Sequence, residues 1–92
     1  MNRTEILTEA ARLVSKDRAA QHGDVERGFA TISRFWSAYT SHYISPADVA
    51  AMMALLKIAR ITNSPDHADN WLDLAGYAAC GGELALNNEV EL

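Results

Sequence analysis

One cysteine in 92 residues, Cys80, leaves nothing for an intramolecular disulfide, so packing rather than cross-linking must hold the fold. No apolar run approaches the ~20 residues that a bilayer-spanning helix needs, and a membrane is not an expected partner. Proline (2) and glycine (5) are too sparse for a loop-rich or low-complexity chain. Basic residues are few as well: 8 Lys and Arg stand against 12 Asp and Glu, for a net charge of -4 and an isoelectric point near 5.2. They are scattered along the chain, so no basic stripe draws in phosphate backbones, and nucleic acid is not an expected partner. The opening residues Met1-Asn2-Arg3-Thr4-Glu5 lack the apolar core of a secretion signal, which makes cytoplasmic residence the expectation.

What the chain does have is apolar content, 49% of its residues, in a length that fits one helical domain over residues 1–92. Asn2 and Glu5 have the spacing of a capping box, and Ile6, Ala10, Leu13 and Val14 recur at helical intervals, predicting a first helix over about residues 3–19. His22-Gly23-Asp24 reads as a turn and an N-cap. Val25, Phe29, Ile32, Trp36, Tyr39 and Tyr43 then step by three or four along a second, aromatic-faced helix, with Phe35 beside the stripe. Phe35 and Trp71 are candidates for an exposed apolar patch.

Ser45-Pro46-Ala47-Asp48 starts a third helix that runs to about Ile61 and is apolar almost all round, as suits a central element packed on several sides. Ser64-Pro65-Asp66-His67 repeats the start signal for a fourth helix carrying Trp71, Leu74, Ala75, Ala78 and Leu84. Its glycines Gly76, Gly81 and Gly82 mark either close backbone approaches or a break. Short connections make the fold class all-α, an antiparallel bundle of about four helices.

Charge on the two most apolar helices is where chemistry is sought. Lys57 and Arg60 lie three apart on the third helix, where an unpaired cation is expensive. On the fourth, Asp66, Asp69, Asn70, Asp73 and Tyr77 share a face. The two sets either form a semi-buried ion-pair network or hold a phosphate, with Asp69 and Asp73 as candidate ligands for Mg2+. His22 and Asp24, before the second helix, are candidates for contacting an anion at its N-terminus. His42 and His67 are isolated, with a single cysteine, and suggest no zinc site. Cys80 reads as a packed small hydrophobe.

The run His22-Gly23-Asp24 with Phe29, Ile32 and Trp36, then Asp48-Val49-Ala50 through Leu56-Lys57-Ile58-Ala59-Arg60, then Asp69-Asn70-Trp71-Leu72-Asp73-Leu74-Ala75-Gly76-Tyr77-Ala78, resembles a family of small phage and prophage proteins of unassigned function. That family is similar to phage nucleotide-modification-associated domains and, more remotely, to the all-α MazG-like nucleoside triphosphate pyrophosphohydrolases. The resemblance covers roughly residues 5–86. It implies a MazG-like bundle, in which Glu-x-x-Glu on one helix and Glu-x-x-Asp on another hold Mg2+ against a triphosphate. Here Asn70-Trp71-Leu72-Asp73 stands at the second motif with an amide in the first carboxylate's place, and Lys57 and Arg60 occupy the helix where the first motif belongs.

The leading expectation is therefore a phage-type, MazG-like helical protein that binds a nucleotide or related phosphorylated small molecule without efficient hydrolysis. Lys57 and Arg60 would face phosphate, with Asp69, Asn70, Asp73 and Tyr77 completing the site. One alternative is a non-enzymatic interaction protein, such as a phage inhibitor of a bacterial defence system acting on a host protein partner. A second is a Mg2+-dependent nucleotide pyrophosphohydrolase. Under either of the first two, the apolar surplus of four short helices predicts a homo-oligomer.

Overall fold

The computed structural model describes residues 1–15 and 25–87, and these form four α-helices: α1 (Arg3–Leu13), α2 (Val25–Thr40), α3 (Pro46–Asn63) and α4 (Ala68–Leu86). Two of the starts come from reciprocal caps. The Asn2 side chain accepts from the Glu5 amide at 2.8 Å while Glu5 accepts from the Asn2 amide at 2.9 Å. Ser45 and Asp48 do the same at 3.0 and 3.1 Å, with Pro46 opening the helix. Each such cap satisfies two amides that a helix start otherwise leaves to water.

α1 ends at Leu13, where Ser15 N–H bonds to Arg12 O at 3.2 Å and tightens the last turn; residues 16–19 of the expected helix lie outside the described residues. α2 stops at Thr40, short of Tyr43. Ser41 takes a left-handed conformation, φ 60, and the Thr40 hydroxyl both donates to Trp36 O at 2.9 Å and accepts from the His42 amide at 3.3 Å. The returning chain is then gripped by two hydroxyls. Ser37 Oγ accepts from the Ile44 amide at 2.8 Å, and Ser33, itself buried, donates to Ile44 O. Ile44 consequently turns inward, while Tyr39 and Tyr43, read from periodicity as part of the apolar stripe, point to solvent.

The second Ser-Pro signal starts no helix directly. Ser64 N–H bonds to Arg60 O at 3.0 Å and closes α3, and Pro65 O accepts from Trp71 Nε1 at 2.7 Å across the turn. α4 begins at Ala68 with His67 as an N-cap that makes no side-chain cap bond.

Phe29, Val49 and Ala50 are the buried centre of the core, enclosed by Ile32, Trp36, Ile44, Met53, Tyr77 and Leu84 among others. α3 and α4 are antiparallel: the start of α3 lies beside Gly81 and Lys57 lies beside Asp73. α1 lies on α4 and runs in the same direction, with Met1 and Ile6 around one cavity with Ala68 and Trp71, and Val14 against Gly76. Neither Gly81 nor Gly82 breaks α4. A Cβ on Gly81 would stand 3.0 Å from the Cβ of fully buried Ala50, so this glycine sets how closely α3 and α4 approach. α3 is not enclosed on all sides as its composition suggested. It packs on α4 and α2, and Met52, Leu55, Leu56 and Ile58 stay exposed. Among the described residues no helix is long and apolar enough to cross a membrane.

Candidate functional site

Where the C-terminal half of α3 meets the N-terminal half of α4, the two helices frame an open cleft of about 430 Å³ lined by Lys57, Arg60, Asn63, Ser64, His67, Asp69, Asn70 and Asp73. The antiparallel pairing explains the grouping. Lys57, Arg60 and Ser64 step along one edge of α3 and its cap, and Asp69, Asn70 and Asp73 occupy the first turns of α4 opposite.

Lys57 and Asp73 are joined at 2.9 Å between Nζ and Oδ2, the lysine side chain retaining 17% exposure and the aspartate 39%. That distance is a charge-assisted hydrogen bond, which offsets the desolvation of a cation on an apolar helix. His67 Nε2 lies 3.9 Å from Asp69 Oδ2, a contact that is ionic only when the imidazole is protonated. Arg60 is exposed and forms no ion pair among the described residues, so five guanidinium donors are available at the rim.

Asn70 is the unusual residue. It is 6% exposed and lines the cleft, and its backbone amide bonds to His67 O at 3.2 Å. Its side chain, able to donate two hydrogen bonds and accept two, has no partner among the described residues, although no polar side-chain atom there is sealed off without one. The amide therefore reaches the cleft itself. There its donors and acceptors are open to water or to a polar ligand in the cleft.

Five of the eight residues singled out in the sequence meet in this cleft: Lys57, Arg60, Asp69, Asn70 and Asp73. Tyr77 does not. It lies two turns beyond Asn70 on the same helix, in the apolar cluster, its ring centroid 6.1 Å from that of Phe29. His22 and Asp24 lie outside the described residues. The sequence reading missed Asn63, Ser64 and His67. The available signal was their register: Asn63 and Ser64 follow Arg60 by three and four residues, on the side that faces α4. Asp69 and Asp73 could accept a hydrated cation only with help from a ligand, since among the described residues no three or more His, Cys, Asp or Glu side chains are grouped to hold a metal.

Residues 5–85 match the family model described as "Domain of unknown function (DUF6378)". Among curated sequences, the chain is 41% identical over 75 residues to "Gene 55 protein" of Mycobacterium phage D29, covering 82% of this chain and 50% of that protein. It is 42% identical over 74 residues to "Gene 55 protein" of Mycobacterium phage L5, covering 79% of this chain and 47% of that one. The chain thus spans about half the length of these relatives. No solved structure matches it.

Proposed function

From the premise that the chain belongs to this DUF6378 family of phage proteins, we propose that it is a MazG-like binding protein for a nucleotide or related phosphorylated small molecule, held in the α3–α4 cleft. The observation that carries the reading is Asn70, a nearly buried amide whose side chain has no partner among the described residues, in one cleft with Arg60, which forms no ion pair among them. Arg60 offers a planar fork that matches two phosphate oxygens. Asn70 offers the paired donor and acceptor that a base edge or sugar hydroxyl requires. At the start of α4 the amides of Ala68 and Asp69 have no partner among the described residues, a further pull on an anion.

Charge limits the ligand. Lys57 and Arg60 balance Asp69 and Asp73, so a bare triphosphate would meet as much repulsion as attraction. A monophosphate, or a polyphosphate carrying Mg2+ that Asp69 and Asp73 could receive through water, fits the balance better. Hydrolysis is left out of the proposal, because the helix facing Asp73 presents Lys57 and Arg60 where metal-dependent cleavage would need carboxylates.

The test is a thermal-shift screen against nucleoside mono-, di- and triphosphates with and without Mg2+. A ligand at 100 times its dissociation constant adds about 2.7 kcal/mol, or roughly 10 °C or more in a domain of this size. The shift is expected to disappear in Arg60→Met, whose side chain is exposed and supports nothing else. No shift with any phosphorylated compound refutes the proposal.

A second reading, a factor that occupies the surface of a host defence protein, is favoured by the exposure of Phe35, Tyr39 (91%) and Tyr43 around the α2–α3 turn. Under that reading Tyr39→Ala abolishes partner binding while Arg60→Met leaves it intact.

A further inference from the structure

The exposed side of α3 is apolar along its length. Met52, Leu55, Leu56, Ile58 and Ala59 are all exposed on one side of α3, with Asp48 the charged residue at its N-terminal end. Of these Leu55 is the most open, at 64%. Beside this ridge runs a shallow groove of about 380 Å³, floored by small residues from both helices, chiefly Ala47, Ala51, Ala54, Ala78, Gly82 and Ala85.

Gly82 is the informative position. A glycine inside a helix costs about 1 kcal/mol relative to alanine. A Cβ added at Gly82 would meet nothing within 4 Å among the described residues, so no packing among them accounts for its absence, in contrast to Gly81 one residue earlier. Something from outside the chain would account for it.

The occupant is constrained by shape. A two-fold interface places the same patch on both sides, so the patch must be complementary to itself. This one carries a ridge of large side chains and a groove of small ones in parallel, the arrangement that ridges-into-grooves packing uses. Its size is also adequate. α3 has 18 residues, about 27 Å at 1.5 Å each, and with the flanking strip of α4 at a spacing of about 9 Å the face is roughly 500 Å² in projection. Side-chain relief raises the accessible area above that, towards the ~600–1,000 Å² per partner of a specific dimer. The core supplies a second motive. Among the described residues five hydrophobic side chains are buried, which leaves much of their apolar surface open to a partner.

We propose that this face forms a two-fold homodimer in which the Leu55–Ile58 ridge of each copy seats in the Ala/Gly82 groove of the other. The interface is independent of the ligand reading.

The experiment is sedimentation equilibrium on the full chain at about 5–100 μM, for the wild type, Leu55→Glu and Gly82→Leu. Leu55 is exposed and a Cβ at Gly82 meets nothing within 4 Å among the described residues, so each monomer is expected to fold, which circular dichroism and a retained cooperative melt verify. The wild type is expected to sediment at twice the chain mass and both variants at half of that. Tyr39→Glu, an exposed change away from this face, should keep the dimer. A wild type that is monomeric throughout the range overturns the proposal, as does either folded variant that remains dimeric.

Discussion

Asp73→Ala separates a held ion pair from two charges that are merely adjacent. Lys57 keeps 17% of its side-chain surface in solvent and Asp73 keeps 39%, so the ammonium is largely withdrawn from water and the carboxylate is not. Removing one partner of a fully buried pair costs about 3–5 kcal/mol, because the other charge is stranded, whereas an exposed pair is worth about 0–1 kcal/mol. This pair lies between those limits, and Asp73→Ala is expected to cost about 1–2 kcal/mol, lowering the melting temperature by roughly 5–15 °C. Lys57→Met should behave differently. It removes the charge that is hard to bury and leaves a carboxylate with access to water, so its stability should fall within about 1 kcal/mol of wild type. The double variant should recover most of the loss, giving a coupling of about 1–2 kcal/mol. Urea unfolding of the four proteins at one fixed chain concentration measures all of this, the fixed concentration keeping self-association out of the comparison. An Asp73→Ala midpoint equal to wild type, or a Lys57→Met as damaging as Asp73→Ala, refutes the asymmetry on which the reasoning rests.

Gly81→Ala is expected to lose about 1–2 kcal/mol despite the better helix propensity, because its Cβ would stand 3.0 Å from Ala50, which has no exposed surface into which to yield; urea unfolding reads this directly. Asn70→Asp puts a carboxylate at a position 6% exposed, next to Asp73, and should cost about 1–3 kcal/mol at neutral pH, recovered on acidification as the buried acid protonates. A melting temperature unchanged between pH 7 and 5 in that variant would contradict it. Burial, with smaller contributions from Glu83 and Glu26, pushes the Cys80 thiol above its ordinary value of 9.0. The folded state therefore holds that proton longer than the unfolded state does. The associated stability is complete below about pH 9 and is lost as pH rises beyond it, so the alkaline fall in melting temperature should be shallower in Cys80→Ala.

The helix starts show what local sequence can and cannot decide. Ser45 and Ser64 both precede proline, yet only Ser45 caps a helix. In the first case the carboxylate, Asp48, stands three residues after the serine, where it can reach back to the cap amide. In the second it is Asp66, one position early, and His67 occupies the place where the return bond would originate. Ser64 is spent instead on closing α3, and α4 begins uncapped at Ala68, beside the cleft. The end of α2 fails for a non-local reason. Tyr39 and Tyr43 fit the helical period as well as Phe29 and Ile32 do, and nothing in the period shows that Ser33 and Ser37 will capture the Ile44 backbone and reverse the chain. The apolar circumference of α3 was legible as composition, but composition does not say whether the covering atoms come from the same chain.

The same distinction governs the cleft. Lys57, Arg60, Asp69 and Asp73 were legible because charge on apolar helices must find a partner, and antiparallel neighbours bring the two sets together. Tyr77 shares a helix face with Asn70, but α2 closes over it, so equal register leads to an open cleft at one end of α4 and to Phe29 at the other. Asn70 was legible only through the expected MazG-like resemblance, as an amide where that motif would carry a carboxylate. Its burial supplies the reason for the departure. At 6% exposure and one turn from Asp73, a carboxylate would need a cation beside it, and Lys57 is already bonded to Asp73. A neutral amide tolerates that depth, and its price is a set of hydrogen bonds that the chain leaves unmade. Under the proposed function, a polar ligand in the cleft would take up those hydrogen bonds, and the position would serve binding rather than hydrolysis.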